Sequence, residues 1–255
     1  MRAPDELRAI VEEALGELTF SAELGGLADV LRYPLESGGK RIRPVLTLAT
    51  GEAVGAQVEQ VLPAALAIEL VHTFSLVHDD LPALDDDDER RGRPSAHVVH
   101  GEAAALLAGD ALLTEAFRIA LVYETPAVGR ELAAATLGMI GGQYLDITGS
   151  TDLVALHRLK TGCLFAASVG CALSAAGIPA AQQAPWRAFG DELGLLFQIV
   201  DDVLDGDGYA QAHGVERARA LAEEAADRAR ARLDAIDADT SVLEALVGDL
   251  AGRTA

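Results

Sequence analysis

Aromatic side chains are scarce in this sequence, at 4% of 255 residues, whereas half of the residues are hydrophobic. The core must therefore be built mainly from Ala, Leu and Val. That composition favours closely packed helices, because strands prefer β-branched and aromatic side chains. The sequence also lacks strand-like alternation of useful length, linkers and internal repeats. We therefore expect a single all-α domain, residues 1–255, of about ten or more helices.

Cysteine and positive charge are also in short supply. Cys163 and Cys171 lie on one predicted helix, about 12 Å apart by its rise, which is too far for a disulfide. We predict a reduced, cytoplasmic protein. The net charge of −20 argues against nucleic acid or an anionic membrane as a partner. The uncharged stretch 163–186 contains Ser, Gln and Pro, so we interpret it as a buried helix without stable membrane insertion.

Apolar residues at three- and four-residue steps predict helices along most of the chain. The predicted helices comprise residues 6–18, 45–52, 63–80, 101–123, 130–147, 152–178 (one helix or two), 185–204 and 214–236.

Two aspartate clusters, each at the end of an apolar helical run, dominate the candidate site. Their members are Asp79, Asp80 and Asp85 in the first, and Asp201, Asp202 and Asp205 in the second. Two carboxylates 4 Å apart repel by about 4 kcal/mol even at an effective dielectric near 20. Several carboxylates around one cavity therefore need cations between them. Carboxylates are hard oxygen ligands, which suit Mg²⁺ bound together with substrate phosphates. The clusters therefore predict one site with two acidic walls.

Helical spacing predicts which side chains in each cluster converge. Gln198, Asp201 and Asp205 follow at three- and four-residue steps and should share one face. Asp79 and Asp85 are six residues apart, which a straight helix cannot point at one ligand. Pro82 lies between them and should break the helix, so that Asp85 returns beside Asp79.

Basic residues supply the complementary charge, since Arg and Lys suit phosphate oxygens. They occur as Lys40 and Arg43 after Gly38-Gly39, as Arg90-Arg91 after the first cluster, and as Lys160 before Thr161. The glycines allow backbone N–H groups to approach an anion closely. His72 lies seven residues before Asp79 and shares its helical face. These residues are candidates for binding an anionic substrate.

Together these motifs resemble the trans-isoprenyl diphosphate synthases, the polyprenyl synthetase family. The matching blocks are Gly38-Gly39-Lys40-Arg41-Ile42-Arg43-Pro44, the first aspartate cluster with Arg90-Arg91-Gly92-Arg93-Pro94, Gly141-Gly142-Gln143, Lys160-Thr161-Gly162, and residues 197–205. They occur in the family's order and span most of the chain. The resemblance implies a helical bundle around a central catalytic cavity, usually as a homodimer.

The resemblance also implies a role for each motif residue. Metal binding, with three Mg²⁺ expected, is implied for Asp79, Asp80, Asp85, Asp201 and Asp205, and a catalytic role for Asp79, Asp80, Asp85, Asp201, Asp202 and Lys160. Allylic-diphosphate binding is implied for Arg90, Lys160, Thr161 and Gln198. Isopentenyl-diphosphate binding is implied for Gly39, Lys40, Arg43, His72 and Arg91.

Product length is implied by the floor of the cavity. Phe74, with Ser75 beside it, precedes Asp79 by five residues, about 7.5 Å along the helix. The resemblance implies that an aromatic residue at this position limits growth of the product chain near fifteen carbons. We therefore expect farnesyl diphosphate as the product, with geranylgeranyl or geranyl diphosphate as alternatives.

The chain departs from the family pattern after the second cluster. A loop that carries a further lysine is missing between Gly208 and Tyr209. We interpret the gap as a mobile loop missing from this sequence, because the motifs on both sides are intact, and the mass of the intact protein would test this. If the protein truly lacks the loop, a lysine expected on the diphosphate is gone and turnover should be weak.

Two other functions are compatible with the aspartate clusters. A class I terpene cyclase ionises similar substrates but needs no isopentenyl pocket, so Lys40, Arg43 and Arg91 favour the synthase. A catalytically silent subunit would usually have lost aspartates, whereas both clusters are whole here.

Overall fold

The helices of the computed structural model account for most of the chain, of which residues 1–150 and 152–254 are described. In chain order the α-helices are α1 (Pro4–Glu17), α2 (Leu27–Leu35), α3 (Ile42–Ala53), α4 (Val58–Asp79), α5 (Ala96–His100), α6 (Glu102–Ala120), α7 (Ala127–Ile147), α8 (Leu153–His157), α9 (Cys163–Ala175), α10 (Ala184–Asp205), α11 (Gly208–His213), α12 (Val215–Asp234) and α13 (Ser241–Ala251). Within the described residues the strands are β1 (Glu89–Arg90) and β2 (Arg93–Pro94), which pair antiparallel. The all-α prediction is confirmed.

Helix α4 is the central element of the fold, packed against α3, α6 and α9. Its sequence predicts a start at Pro63, but the helix begins five residues earlier at Val58. Proline inside a helix disturbs the backbone hydrogen bonds before it. Here the hydroxyl of Tyr123 donates to the carbonyl of Gln60 (2.9 Å) and accepts the N–H of Ala64 (3.1 Å). The tyrosine thereby bridges the distorted turn, and the helix continues through the proline.

Length and composition alone would allow α4 to cross a bilayer, and 67% of its apolar window is buried inside the protein. Its neighbour α9 begins the uncharged stretch and is also a core helix, since ten of its residues, including Phe165 and Cys171, are buried. Cys163 and Cys171 are both free thiols on α9, as their spacing predicts.

A short turn joins α10 to α11 at the point where the sequence analysis expects a further loop. Gly206 ends α10 in the left-handed region, with φ +76°. The N–H of Tyr209 then donates to the carboxylate of Asp202 (2.8 Å), which holds the start of α11 against α10. A Cβ on Gly208 would lie 2.1 Å from an oxygen of Asp202, so this path suits glycine. The interpretation as an omitted loop stays a prediction.

Candidate active site

A cavity of about 730 Å³ lies between α3, α4, α7, α9 and α10. Most of the residues that the sequence selects line it. From the candidate set, they are Gly39, Lys40, Arg43, His72, Ser75, Asp79, Asp85, Arg90, Arg91, Lys160, Thr161 and Asp201. Both aspartate clusters therefore contribute to one cavity, as the two-wall interpretation requires.

The first acidic wall forms where α4 ends. Beyond Asp79 the chain folds back, and the N–H of Asp85 donates to the carbonyl of Asp79 (2.8 Å). Asp86 has a positive φ of 54°, a conformation that Asp tolerates better than most residues. The turn spans Pro82 and brings Asp79 and Asp85 into the same cavity.

Asp80 does not line this cavity. Its buried carboxylate accepts hydrogen bonds from the Nε (2.9 Å) and a terminal nitrogen of Arg90. Arg90 in turn lines the cavity and also contacts Asp87 (3.2 Å). The structure therefore places Asp80 behind the wall, where it orients an arginine. Its expected role as a metal ligand stays a prediction.

The second acidic wall is supplied by one residue of α10. Asp201 lines the cavity together with Phe197, one turn earlier. Asp205 is exposed at the last residue of α10 and does not line the cavity, although its charge contributes to the raised pKa of Asp201. The expected common face of Asp201 and Asp205 is therefore only partly realised.

Asp202 and Gln198 point away from the cavity, contrary to expectation. The amide of Gln198 donates to Asp202 (2.5 Å), and Asp202 also accepts from the backbone of Tyr209. His157 lies 3.6 Å from the same carboxylate. The physical reason is helical phase: Phe197 and Asp201 form one i,i+4 pair facing the cavity, and Gln198 and Asp202 form the next pair, turned toward α8 and α11.

The basic wall surrounds the N-terminus of α3. Gly39 adopts a φ of +139°, and a Cβ there would lie 2.5 Å from the guanidinium of Arg91. That guanidinium donates to the carbonyl of Gly38. Gly39 is therefore needed for the close approach of Arg91, whereas Gly38 has open space around it and is favoured by its positive φ of +70°. Arg91 and Lys40 line the same cavity.

Arg43 is held by aromatic faces. Its guanidinium carbon lies 4.5 Å from the ring centre of Phe165 and 5.3 Å from that of Phe197, a cation–π arrangement. Burial lowers the pKa of Arg43 to about 10, which leaves it charged at neutral pH.

Glu69 is a residue of the site that sequence reasoning missed. It is buried, lines the cavity and accepts a hydrogen bond from Arg41 (2.5 Å). Arg41 is buried as well, and its Nε donates to Glu12 (2.8 Å). A lone acid inside the apolar run of α4 was the available signal, because a buried carboxylate requires a partner.

Lys160 and Thr161 lie in a π-helical turn, Arg158–Gly162, between α8 and α9. Such turns often occur at functional sites. A Cβ on Gly142 of α7 would lie 2.3 Å from the backbone nitrogen of Lys160, so glycine lets α7 approach this turn closely. The Lys160 ammonium lies 2.5 Å from Asp146 of α7. The Gly141-Gly142-Gln143 motif thus has a packing role beside the lysine.

Burial perturbs the pKa values of several cavity residues. Desolvation raises the pKa of Asp79 to about 6, Lys160 opposes the shift and Asp85 adds to it. Desolvation also raises the pKa of Asp201, with a further contribution from Asp205. The pKa of His72 is well below its usual value because of burial and the nearby arginines, so its imidazole is neutral at neutral pH.

A second, apolar cavity of about 300 Å³ adjoins the first, and Ser75, Asp79, Met139 and Lys160 line both. The other side chains around it are Phe74, His78 and Leu84, with Ile140, Gln143, Tyr144 and Ile147 of α7. Phe74 is buried and meets His78 edge to face, with ring centres 5.6 Å apart. An apolar group attached to an anion in the main cavity would therefore extend toward Phe74.

The donor set of the main cavity fits a divalent cation shared with an anionic ligand. Asp79, Asp85 and Asp201 supply hard oxygen ligands. A bound cation would stabilise the ionised carboxylates of Asp79 and Asp201, whose pKa values are raised by desolvation. Among the described residues, no group of three or more His, Cys, Asp or Glu side chains is placed to hold a metal ion by itself. Ligand oxygens or water would therefore have to complete the coordination.

Residues 26–223 match the family model described as polyprenyl synthetase, which covers more than half of the sequence. The chain belongs to the polyprenyl synthetase family. A geranylgeranyl diphosphate synthase of Cyanophora paradoxa is 40% identical over 217 residues, covering 78% of this chain and 72% of that protein. A farnesyl diphosphate synthase of Escherichia coli strain K12 is 38% identical over 290 residues, covering 96% and 97%.

The fold of this chain is also found in solved structures. The crystal structure of a geranyltransferase from Legionella pneumophila matches with a TM-score of 0.88 at 32% identity, covering 98% of this chain and 96% of that one. The alignment with the Escherichia coli enzyme spans 290 positions, more than the 255 residues of this chain. The Escherichia coli enzyme therefore has residues in the alignment that this chain lacks.

Proposed function

We propose that the protein is a short-chain prenyltransferase that condenses isopentenyl diphosphate head-to-tail with an allylic diphosphate, with farnesyl diphosphate as the main product. Geranylgeranyl and geranyl diphosphate are the alternatives. The supporting observation is one cavity with acidic residues on two walls, a basic wall beside them, and an apolar pocket behind Asp79. Lys40, Arg43 and Arg91 supply a second diphosphate site, which a terpene cyclase would not need.

Asp79, Asp85 and Asp201 would hold Mg²⁺ together with the allylic diphosphate, and three ions are our expectation. Bound Mg²⁺ would supply charge stabilisation to the departing diphosphate. Arg90 and Lys160, which line the same cavity, add positive charge at the leaving group as the carbon–oxygen bond breaks. Thr161 lies beside Lys160 in the same turn. Asp80 orients Arg90 for this work.

The basic wall would orient the second substrate. Lys40, Arg43 and Arg91 bind the diphosphate of isopentenyl diphosphate, and the neutral imidazole of His72 can donate one hydrogen bond to it. The apolar side chains of the second pocket would surround the hydrocarbon of the allylic cation. The double bond of isopentenyl diphosphate then attacks that cation, and the released pyrophosphate accepts the proton lost at the end. No side chain is needed as a nucleophile.

The same family membership supports a proposal for the assembly and the location of the protein. We propose a homodimer in the cytoplasm, without nucleic acid or stable membrane insertion. The large exposed apolar side chains of α6 and α7 form one surface available for self-association.

The direct test supplies dimethylallyl and isopentenyl diphosphates with Mg²⁺ and measures products by chain length. The expected product is mainly farnesyl diphosphate, and chelation of Mg²⁺ should abolish it. A cyclic hydrocarbon formed from a longer prenyl diphosphate without elongation would refute the proposal. So would the absence of any elongation by a protein whose intact mass and folding are verified.

A further inference from the structure

The basic block before α3 carries three cations, of which one is turned into the protein. Lys40 is exposed at the edge of the main cavity, and the Nε of Arg43 has no hydrogen-bond partner among the described residues. Arg41, between them, is 3% exposed and donates four hydrogen bonds inside the protein. An arginine has about five N–H donors. Lys40 and Arg43 therefore keep donors for a ligand, whereas Arg41 has almost none left.

The hydrogen bonds of Arg41 reach three other helices. Its Nε and one terminal nitrogen donate to the two carboxylate oxygens of Glu12 on α1, at 2.8 and 3.3 Å. The other terminal nitrogen donates to Glu69 on α4 at 2.5 Å, and the carbonyl of Leu35 at the end of α2 accepts a fourth bond. Only the planar fork of an arginine can make such a set of bonds. One side chain thus ties the start of α3 to α1, α2 and α4.

These bonds hold an unfavourable backbone in place. Arg41 precedes α3 with φ 46° and ψ 33°, the left-handed conformation that a residue with a Cβ rarely adopts. Gly38 and Gly39 also have positive φ, but glycine adopts it readily. A strained residue keeps its conformation only when its surroundings fix it. If the bonds of Arg41 were lost, its backbone would relax, and Lys40 and Arg43 on either side would change direction.

Glu69 is the inner end of this network and faces more than one arginine. It is 2% exposed and lines the main cavity. Desolvation lowers the pKa of Arg43 and of Arg91, and the charge of Glu69 opposes both shifts. A carboxylate on a wall that receives a diphosphate also repels that diphosphate. Its presence there therefore calls for a role that outweighs the repulsion.

Stability alone is a weak explanation for Glu69. A buried ion pair adds little net stability compared with apolar side chains of the same volume, although it can fix a single conformation. The conformation at stake here is the start of α3, since the partner of Glu69 is the left-handed Arg41. The two residues beside Arg41 line the main cavity. The geometry therefore connects the carboxylate of Glu69 to the direction of the basic wall.

Resting on the proposed function, we propose that Glu69 and Glu12 are positioning residues for isopentenyl diphosphate. Both carboxylates hold Arg41, and Arg41 directs its neighbours Lys40 and Arg43 toward the diphosphate of this substrate. Glu12 lines neither the main cavity nor the apolar pocket behind Asp79. Helix α1 thus acts on the site of the second substrate through one buried arginine, without touching the substrate.

The first experiment substitutes Glu12→Gln, with Glu13→Gln as the matched control. Glu13 is exposed on the same helix and lines neither cavity. The KM for each substrate is measured with the other at saturation. Glu12→Gln should raise the KM for isopentenyl diphosphate about five- to tenfold, with kcat and the KM for dimethylallyl diphosphate within about twofold. Glu13→Gln should change none of the three.

The direction of the change separates positioning from simple charge repulsion. Removal of a negative charge near an anion site, with the site otherwise intact, would lower the KM for isopentenyl diphosphate. Loss of the bonds that orient the basic wall raises it. A raised KM after the removal of an acid is therefore the signature of positioning.

The second experiment compares Glu69→Gln with Glu115→Gln. Glu115 is likewise a buried acid, paired with Arg118 at 2.7 Å, but it lies on α6 outside both cavities. Both substitutions should lower Tm, and rates are measured where circular dichroism shows each variant folded. Only Glu69→Gln should raise the KM for isopentenyl diphosphate, by at least about tenfold. If Glu69→Gln does not fold, the Glu12→Gln measurement still decides.

The third measurement tests whether Arg41 carries the effect. Arg41→Lys keeps the positive charge but cannot make the four bonds, so it should raise the same KM at least about tenfold. Adding Glu12→Gln to Arg41→Lys should then change this KM by less than about twofold, because the two residues act through one contact.

The proposal is overturned by any of three results. They are an unchanged or lowered KM for isopentenyl diphosphate in Glu12→Gln, equal KM changes in Glu69→Gln and Glu115→Gln, and independent effects of Glu12→Gln and Arg41→Lys. Each of these appears only in variants of an active wild-type protein. Failure of the proposed function is a different observation, since the wild-type protein itself would then form no prenyl product.

Discussion

Replacing Asp79 by Asn should stabilise the ligand-free protein while abolishing its activity. Burial raises the pKa of this carboxyl from 3.8 to about 6. A difference of about two between the folded and unfolded pKa values corresponds to about 3 kcal/mol of unfolding free energy. Because Asp79 is partly exposed, solvent screening reduces the usable figure to about 1–2 kcal/mol. For a domain of this size that is an increase in Tm of about 2–8 °C.

The sign of this effect depends on pH. Below the unfolded pKa of 3.8 the carboxyl is protonated in both states and carries no penalty. Between that value and about 6, the unfolded chain releases the proton while the folded protein retains it, and the fold loses stability as the pH rises. Above about 6 the full penalty is present. The advantage of Asp79→Asn should therefore be large at pH 7.5 and small near pH 4.5.

The assay is thermal unfolding of both proteins at the two pH values. Asp86→Asn is the matched control, because Asp86 is exposed in the same turn and Asn tolerates its positive φ. Adding Mg²⁺ with inorganic pyrophosphate should stabilise the wild-type protein more than Asp79→Asn. A variant that is less stable than the wild type at pH 7.5, or a difference independent of pH, would refute the reasoning.

Three other substitutions test separate parts of the site. Asp201→Asn should lower kcat at least 100-fold, as expected for a residue that stabilises the transition state. Asp202→Asn should lower kcat less than tenfold but reduce Tm, because Asp202 holds α11. Equal losses of kcat in the two variants would contradict these placements. Glu69→Gln should cost about 3 kcal/mol in urea unfolding, as breaking a buried ion pair does, and exposed Glu59→Gln should cost little; similar losses would exclude the Arg41 pairing as the cause. Phe74→Ala should lengthen products in product analysis, while Phe117→Ala on α6, outside both cavities, should not; an unchanged spectrum would remove Phe74 as the floor.

The long helices could be predicted from the sequence because apolar periodicity over many residues leaves few alternatives. The predicted helix 130–147 corresponds to Ala127–Ile147, and 185–204 to Ala184–Asp205. Helix α13 was missed although its buried residues Val242, Leu243, Val247 and Leu250 follow helical spacing. The other missed helices are short, such as α5 and α11, or carry a proline inside, as α2 does at Pro34. Their sequences hold too few turns for a periodic signal, and tertiary packing decides their conformation.

Tertiary contacts also explain why α4 begins at Val58, five residues before its predicted start at Pro63. Proline is an ordinary signal for a helix start, and the sequence gives no indication that Tyr123, sixty residues later, supports the turn before Pro63. The same limit applies to Glu69. A glutamate inside an apolar helix indicates that its carboxylate has a buried partner. That this partner is Arg41 depends on the left-handed backbone of Arg41, with φ 46°.

The second aspartate cluster shows what spacing can decide and what it cannot. Steps of three and four residues determine which side chains lie near one another on α10 but do not determine which face meets the cavity. Gln198, Asp201 and Asp205 were grouped by spacing, whereas the structure turns Phe197 and Asp201 to the cavity. The phase is set by what surrounds the helix: Phe197 and Phe165 meet at 4.7 Å, and Asp202 is held by α11. Since α11 follows the short turn at Gly206, the position of Asp202 depends on the connection at which the sequence analysis expects a further loop.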